Sequence, residues 1–344
     1  MTPKIITKYY AELDNKKIRC ELCPNECVIL PQRYGLCIAR KNIDGKFYST
    51  VYGYLCSLNL DPVEKKPLYH YYPGLKILSI GTFGCNLFCK GCQNFEITRI
   101  DIKSEEELLN RMKYYSPQEI VNYALKNNIK LIAYTYNEPT IFFEYMIDIA
   151  KLAKKHEIKN VIVSNGYINP KPLNELCKYI DAANIDLKGI NEKFYSEYTS
   201  THIKPILHTI KTLHKNKVWI ELTNLIIEGL NDNPKDIKKL CDWIKTNVGV
   251  NVPLHFSRFY PYYKASDVNP TNPSILENAK KIAAKTGLNY VYLGNLGILD
   301  NTYCTKCNNL LVERTGTKIT VCGLKGKMNN QCSKCGVTLP GSFG

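Results

Sequence analysis

The sequence predicts an α/β fold in which a β/α barrel, complete or partial, lies between two cysteine-rich modules. Between Lys76 and about Leu299, short apolar runs alternate with helical segments about six times. This alternation is typical of a parallel sheet with crossover helices. The segments on either side are rich in cysteine and in turn-forming residues. We therefore predict three parts: 1–70, 71–300 and 301–344.

The composition indicates a globular chain. It has 344 residues, 44% of them hydrophobic and 22% charged, and no apolar run long enough for a membrane span. The first residues lack the features of a signal peptide, so we expect a cytoplasmic protein. The net charge is +15, but only seven of the 46 basic residues are arginine. Because Arg is preferred for bidentate phosphate and base contacts, a solvated lysine-rich surface is favoured over nucleic-acid binding.

The barrel elements follow from local patterns. The predicted strands are short, β-branched or aromatic, and bounded by turns: KILSIG, KLIAYTY, NVIVSNG, AANIDLKG, VWIELTNLI, VPLHFSRF and NYVYLG. Several of the helical segments between them open with Ser-Pro or Asn-Pro, which are helix start signals. Polar residues collect where the strands end: Cys85, Asn137-Glu138, Ser164-Asn165, Asp186-Lys188, Thr223, His255-Arg258 and Asn295. Strand ends that converge on one mouth favour a barrel over an open sheet.

Fifteen cysteines are the strongest compositional signal. In a reducing compartment, clustered cysteines more often bind metal or perform chemistry than form disulfides. Cys177 and Cys241 lie far from the clusters in helix-like stretches, where a small buried hydrophobe is expected.

The central cluster is GCNLFCKGCQN, with Cys85, Cys89 and Cys92 spaced C-x3-C-x2-C directly after a strand. Zinc could take these three thiolates together with a distant fourth ligand. A four-iron cluster could take three and leave one iron open for another molecule.

This triplet resembles the signature of the radical S-adenosylmethionine (radical SAM) superfamily, which implies the partial β/α barrel of that family. The resemblance implies a 4Fe–4S cluster whose fourth iron is chelated by S-adenosyl-L-methionine. It also implies reductive cleavage to methionine and a 5′-deoxyadenosyl radical that abstracts a substrate hydrogen. Catalysis would then depend on Cys85, Cys89 and Cys92, and a reductant such as ferredoxin or flavodoxin would supply the electron.

The same resemblance implies a set of cofactor-binding residues at the strand ends. Glu138, next to Asn137, would accept from the methionine ammonium, although two glycines of the family motif are replaced here by Tyr136 and Asn137. The other implied contacts are Ser164, Asn165, Asp186, Lys188, Thr223 and His255. The residue before the third cysteine is usually aromatic or bulky and packs on adenine. Here it is Gly91, so Phe88 or Phe83 would have to cover the ring.

Over nearly the whole chain, the sequence resembles the AmmeMemoRadiSam-system radical SAM enzymes, relatives of pyruvate formate-lyase-activating enzyme. The stretches that carry this resemblance are DPVEKKPLYHYYPG, SIGTFGCNLFCKGCQNFEI, AYTYNEPT, CELCPNEC…GLC and the C-terminal cysteine pairs. It implies Memo-like and AMMECR-type proteins as partners and leaves the substrate open.

The C-terminal cysteines form two C-x2-C pairs, Cys304/Cys307 and Cys332/Cys335, with an apolar hairpin predicted between them from LLVER and TKITV. This arrangement is typical of a zinc ribbon, in which four thiolates close a structural site. Cys322, inside the interval, is an alternative ligand.

The N-terminal cluster is C-x2-C-x3-C-x9-C: Cys20, Cys23, Cys27 and Cys37. Zinc would make it a structural clip, and a second iron–sulfur cluster would make it an electron relay. The chain lacks the C-x2-C-x2-C-x3-C runs of the auxiliary inserts in some glycyl-radical activases, which slightly favours zinc. Cys56 lies outside this cluster and is expected to be either buried or an occasional ligand.

Three functions remain open at this point. The first is a radical SAM enzyme with an unidentified substrate. The second is a glycyl-radical-enzyme activase, which acts on a protein. The third is a non-enzymatic zinc-binding adaptor or RNA-binding protein, which leaves the central triplet and the polar strand ends unexplained.

Overall fold

Seven parallel strands, arranged in chain order, form the main sheet. The computed structural model describes residues 5–100, 110–297, 300–316 and 318–344. These strands are Lys76–Gly81, Leu131–Tyr134, Lys159–Ser164, Ala182–Asp186, Trp219–Ile226, Leu254–Arg258 and Val291–Gly294. An eighth strand, Ser57–Pro62, pairs antiparallel with Lys76–Gly81. Within the described residues, Ser57–Pro62 and Val291–Gly294 are the two edges of this sheet and do not pair, so the barrel is partial. The predicted α/β architecture is confirmed.

Helices connect the parallel strands. Their bounds are Pro117–Lys126, Phe143–Lys155, Pro170–Leu176, Ile203–Lys215, Pro234–Asn247 and Pro273–Thr286. A helical turn, Pro139–Phe142, leads into the second of these. Short helical segments also occur at Phe95–Thr98, Glu192–Phe194 and Tyr195–Thr199. The start signals act as expected: Ser116 and Glu119 form a capping box, and Asn233 and Asn272 cap the helices that begin with Pro234 and Pro273.

The N-terminal part consists of small antiparallel sheets. One contains Ile5–Ile6, Lys46–Ser49 and Arg40–Ile43, and the other Tyr10–Glu12, Ile18–Cys20 and Val28–Ile29. A further pair joins Tyr54–Leu55 to Lys113–Tyr114. The strand Ser57–Pro62 lies within the range 1–70 but hydrogen-bonds along all of Lys76–Gly81, so the main sheet begins before residue 71.

The C-terminal part has a three-stranded sheet, Thr302–Tyr303, Leu310–Thr315 and Lys318–Val321, and a pair, Leu324–Lys325 with Gln331–Cys332. The predicted hairpin is present, although Thr317 lies outside the described residues. This part packs at the amino-terminal end of the barrel strands. The Arg314 guanidinium donates to the Tyr69 carbonyl (2.8 Å) and the Thr302 hydroxyl (2.8 Å), and it stacks 4.1 Å from the Tyr69 ring. The opposite, carboxyl-terminal end is where the predicted site residues follow their strands.

None of the helices among the described residues has both the length and the apolar composition needed to cross a membrane.

Candidate functional site

The loop after Lys76–Gly81 carries the central cysteines, and Asn137 shapes its entry. The Asn137 side chain accepts from the Thr82 amide (3.1 Å) and donates to the Gly84 carbonyl (3.0 Å). Gly84 has φ +97°, a conformation that a residue with a side chain rarely adopts. Asn137 was predicted to bind a cofactor, and its described contacts hold the cysteine loop on the end of the next strand.

Glu138 joins the ends of two neighbouring strands. Its side chain is 2% exposed and accepts four hydrogen bonds: from the Thr140 amide and hydroxyl, the Ser164 hydroxyl and the Asn165 amide, at 2.6 to 2.9 Å. Three of these donors bind Oε1 and one binds Oε2. Burial raises the pKa of the Glu138 carboxyl, while these donors oppose the rise. Oε2 therefore has the greater remaining capacity to accept from a ligand.

Asn165 links this carboxylate network to the cysteines. The side-chain nitrogen of Asn165, Nδ2, lies 2.9 Å from Asn86 Oδ1 and 3.8 Å from Cys85 Sγ. Its side-chain oxygen, Oδ1, accepts from the Tyr167 backbone amide. Asn86 is fully buried and donates to the Tyr167 carbonyl (2.8 Å). Four predicted residues, Cys85, Glu138, Ser164 and Asn165, thus form one connected group.

Asp186 and Lys188 form an ion pair beside Cys89. Their charged atoms are 2.8 Å apart. Burial alone would lower the pKa of Lys188, but the charge of Asp186, together with that of the nearby Cys89, holds this pKa above its usual value. Burial raises the pKa of Cys89 to about 11, and Lys188 opposes this rise. Lys188 therefore brings a positive charge to the cysteine loop, and Asp186 offsets part of it.

Cys92 lies 3.2 Å from the Thr98 hydroxyl at the end of Phe95–Thr98. Arg99 follows and stacks on Phe88, 3.9 Å from the centre of the ring. Phe88, expected as a cover for adenine, therefore has a cation on one face.

Gly91 has aromatic neighbours that the sequence analysis did not identify. A Cβ at this position would overlap the Tyr198 hydroxyl and would lie 2.7 Å from a ring carbon of Phe259. The Tyr198 hydroxyl is buried and has no hydrogen-bond partner among the described residues. Tyr198 and Phe259 come from distant segments and occupy the space that a bulky residue would fill. No local sequence signal marks them.

Two further predicted residues are neighbours of Asp186 in the strand register: Thr223 pairs with Asp186, and His255 pairs with Thr223. The Thr223 hydroxyl donates to Asn184 Oδ1 (2.9 Å), and Asn184 donates to the Pro67 carbonyl. His255 is bonded to Glu221 (2.7 Å) and packs edge-on against Tyr69. Pro67 and Tyr69 belong to the segment between Ser57–Pro62 and Lys76–Gly81. The described contacts thus connect Thr223 and His255 to the end of the barrel opposite the cysteine loop.

The C-terminal cysteines are drawn close together. Among the described residues, Cys304, Cys307, Cys332 and Cys335 are the only group of three or more metal-binding side chains whose ligand atoms all lie within 4.8 Å of one another. The sulfurs of Cys304 and Cys335 are 3.5 Å apart, and those of Cys307 and Cys332 are 3.6 Å apart. Four sulfurs around zinc at about 2.3 Å stand about 3.8 Å apart, so the group fits a single ion. Cys322 is exposed, outside this group, and contacts backbone carbonyls.

The N-terminal cysteines, Cys20, Cys23, Cys27 and Cys37, line one common cavity together with Arg40. Arg40 is 1% exposed and forms a bidentate ion pair with Glu144. Its two terminal guanidinium nitrogens lie 2.6 and 3.1 Å from the two carboxylate oxygens. No local sequence pattern marks this pair, because its members are 104 residues apart. Cys56 lies 3.6 Å from the Gly81 carbonyl.

The fold and the cysteine loop define the class of protein. The family model described as the radical SAM superfamily matches residues 79–244, a range that contains the triplet and the strand ends around it. Residues 79–244 are therefore a radical SAM domain, and members of this superfamily use a 4Fe–4S cluster and S-adenosylmethionine.

Three known proteins show the range of similarity. An uncharacterized protein of Methanocaldococcus jannaschii is 40% identical over 330 residues, which is 95% of this chain and 96% of that protein. Pyruvate formate-lyase-activating enzyme of Clostridium pasteurianum is 25% identical over 165 residues, 47% of this chain and 66% of the enzyme. The match therefore spans just under two thirds of that activating enzyme. The crystal structure of Streptococcus suis SuiB bound to its precursor peptide SuiA has a TM-score of 0.50 at 16% identity, covering 67% of this chain and 50% of that one.

Proposed function

We propose that this chain cleaves S-adenosylmethionine reductively and abstracts a hydrogen atom from a substrate, with Cys85, Cys89 and Cys92 as the protein ligands of the 4Fe–4S cluster. The observation that carries this proposal is the triplet at the carboxyl ends of the parallel strands, within reach of Asn165 and Lys188. When bound, the cluster and S-adenosylmethionine supply a one-electron cleavage that yields methionine and a 5′-deoxyadenosyl radical.

The donor set fits such a cluster better than a single ion. Three thiols come from one loop, and their sulfurs, unlike those of the C-terminal group, are not all within 4.8 Å of one another. A four-iron cluster takes thiolates at separate irons, so its cysteines stand further apart than those around zinc. Three protein ligands leave one iron for the cofactor.

The surrounding residues have distinct parts in this proposal. Glu138 accepts from the methionine ammonium through its less occupied oxygen, and Ser164 and Asn165 orient that carboxylate. Asp186 and Lys188 bind the methionine and ribose parts of the cofactor. Tyr198 and Phe259 take the place of the bulky residue that Gly91 lacks. Thr223 and His255, which neighbour Asp186 in the strand register, are further cofactor contacts, and their bonds to Asn184 and Glu221 hold them in place.

The outer parts have supporting roles. The range 301–344 holds zinc in a structural site, and the range 1–70 forms a second metal module beside the barrel 71–300. A one-electron reductant such as ferredoxin or flavodoxin supplies the electron. The thiol-rich sites suit a reducing compartment such as the cytoplasm.

The substrate has two candidate classes. Similarity to pyruvate formate-lyase-activating enzyme favours a protein substrate, as in a glycyl-radical-enzyme activase. The motifs that resemble those of the AmmeMemoRadiSam system favour a reaction in which Memo-like and AMMECR-type proteins take part. A zinc-binding adaptor, the third alternative, accounts for the C-terminal cysteines but gives no role to the triplet.

Two experiments test the proposal. Protein purified without oxygen should be brown and contain iron and sulfide, whereas a colourless protein that takes up only zinc after reconstitution would support the adaptor. Candidate substrates or partner proteins labelled with deuterium should then transfer the label to 5′-deoxyadenosine. The compound that transfers the label is the hydrogen donor, and it decides between a protein and a small molecule.

A further inference from the structure

We propose that Cys20, Cys23, Cys27 and Cys37 bind a second iron–sulfur cluster, and that this cluster passes single electrons to the site formed by the central triplet. Cluster binding depends on residues of the N-terminal part alone. The relay role rests on the proposed function of the triplet.

The spacing of the sulfurs distinguishes this site from a zinc site. The quartet Cys20, Cys23, Cys27 and Cys37 contains no three sulfurs that all lie within 4.8 Å of one another, unlike the quartet in 301–344. Both quartets come from the same structure and both consist of four thiols. Their different spacing therefore matches two different occupants: a single ion for the C-terminal quartet and a larger centre for the N-terminal one.

The cavity between these sulfurs has the character of a cluster site. Its volume is about 20 Å³. Besides the cysteines, apolar side chains line much of it: Leu22, Ile29, Phe47 and Ile141. Apolar walls that limit water access are one of the means by which proteins set the reduction potential of such clusters.

A buried donor points to an anionic occupant. Arg40 lines the cavity and lies within electrostatic range of Cys20 and Cys37. Glu144 binds its two terminal nitrogens, but its Nε–H is buried and has no partner among the described residues. An unsatisfied buried donor is costly, and a sulfur of an iron–sulfur cluster would accept its proton. Glu144 neutralises the charge of Arg40 but leaves the Arg40 Nε–H free to donate to a cluster in the cavity.

The quartet adjoins the central loop. A Cβ at Gly84, the residue before Cys85, would overlap the Cys37 carbonyl oxygen. On the other side of Cys85, the Asn86 carbonyl accepts from the Asn25 side chain at 2.8 Å. Asn25 lies between Cys23 and Cys27. The two cysteine sites are therefore joined by direct backbone contact, which suits transfer of an electron between them.

The electron count of the relay is simple. An external one-electron donor of the ferredoxin or flavodoxin class is oxidised by one electron, which enters at the quartet. The same electron leaves to the central site, so the second cluster returns to its starting state. No proton or group is transferred.

Metal content in full-length variants tests the proposal without any activity measurement. The triple variant Cys85→Ala/Cys89→Ala/Cys92→Ala, reconstituted anaerobically with iron and sulfide, should retain about four irons per chain. After reduction with dithionite it should give the electron paramagnetic resonance signal of a reduced cluster. Cys241→Ala, which removes a buried cysteine outside every cluster, is the matched control and should keep the wild-type content.

The outcomes separate this proposal from the proposed function. If the triple variant contains no iron and binds two zinc ions, the second cluster does not exist, whereas the triplet can still be the catalytic site. If instead the only iron in the wild-type protein survives in the triple variant and is lost in Cys20→Ala/Cys23→Ala, the function proposed for the triplet fails and the second cluster stands.

Arg40 gives a further readout. Arg40→Lys keeps a positive charge near Glu144 but removes the Nε donor. In the background of the triple variant, this change should make the midpoint potential of the remaining cluster more negative, because a hydrogen bond to the cluster favours its reduced form. An unchanged potential in a variant with full iron content would contradict the role given to Arg40.

Discussion

Lys188 Nζ lies 2.8 Å from Asp186 Oδ2, at the end of the strand Ala182–Asp186. The two residues are separated by Leu187 alone, so the strand end itself holds an acid and a base side by side. Lys188 is also within electrostatic range of Cys89. Lys188 therefore places its positive charge, held by Asp186 at the strand end, near the thiol of Cys89.

We predict that Lys188→Met lowers the rate of S-adenosylmethionine cleavage without loss of iron. The change leaves Asp186 without its charged partner and removes the positive charge beside Cys89. Hydrogen bonds to charged groups contribute about 1.5–3 kcal/mol, so the rate should fall about tenfold or more. The measurement is 5′-deoxyadenosine formation alongside iron content. Lys193→Met, in an exposed pair with Glu197, is the control and should behave as the wild-type protein. A wild-type rate in Lys188→Met would remove this residue from the site.

Gly91→Ala should weaken the cofactor site. The new Cβ would overlap the Tyr198 hydroxyl and crowd the Phe259 ring. These aromatic side chains must move, so we expect a higher KM for S-adenosylmethionine and a lower melting temperature. Overpacking of this kind costs about 1–3 kcal/mol.

The double variant Gly91→Ala/Tyr198→Phe provides the check, because it removes the overlapping hydroxyl. It should recover part of the lost affinity and stability, while Phe259 still limits full recovery. If the double variant is no better than Gly91→Ala, the contact with Tyr198 is not the cause.

His70 should make stability depend on pH. Both ring nitrogens are bonded, to the Pro340 carbonyl (2.9 Å) and the Tyr292 hydroxyl (2.6 Å), and burial lowers the pKa of His70 to about 4. The unfolded chain, with a His pKa near 6.5, therefore binds the proton more readily. The free energy of unfolding should fall as pH drops from about 6.5 to about 4, by about 3 kcal/mol from this group.

Urea unfolding of the wild-type protein and of His70→Gln between pH 7 and pH 4 measures this contribution. The variant should be less stable at pH 7 and should lose less stability on acidification. His156→Gln, at an exposed position, should follow the wild-type curve. Parallel curves for His70→Gln and the wild-type protein would contradict the prediction.

Cys332→Ala should remove the metal of the C-terminal quartet. One ligand of four is lost, so we expect about one zinc fewer per chain and a lower melting temperature, because structural zinc contributes about 10 kcal/mol or more to folding in small modules. Zinc analysis and a thermal melt measure both effects. Cys322→Ala is the matched control, since Cys322 lies in the same segment but outside the quartet. Equal zinc content in the two variants would contradict the assignment.

The sequence predicted the barrel well because its signals are local. The runs of β-branched and aromatic residues in Lys159–Ser164 and Trp219–Ile226 favour buried strands, and Asn272 and Pro273 favour a helix start. The strand Ser57–Pro62 was missed, since SLNLDP mixes polar residues with a proline at the edge of the sheet. Its pairing depends on Lys76–Gly81 rather than on its own composition.

The sites were predicted less completely, because two of their features arise from contacts between distant residues. Tyr198 meets Gly91, and Arg40 meets Glu144, only after the chain has folded. The sequence position of a polar residue in a strand also does not show which partners its side chain contacts in the barrel. Thr223 pairs with Asp186 in the strand register and His255 pairs with Thr223, and their side chains also bind Asn184 and Glu221, so their contact with a cofactor stays a prediction.

The most direct measurement of the central claim is 5′-deoxyadenosine formation by reconstituted full-length protein with dithionite and S-adenosylmethionine. We predict methionine and 5′-deoxyadenosine in equal amounts from the wild-type protein and from Cys241→Ala, and neither product from Cys89→Ala. Product formation by Cys89→Ala at the wild-type rate, or none by wild-type protein that contains its full iron and sulfide, would contradict it.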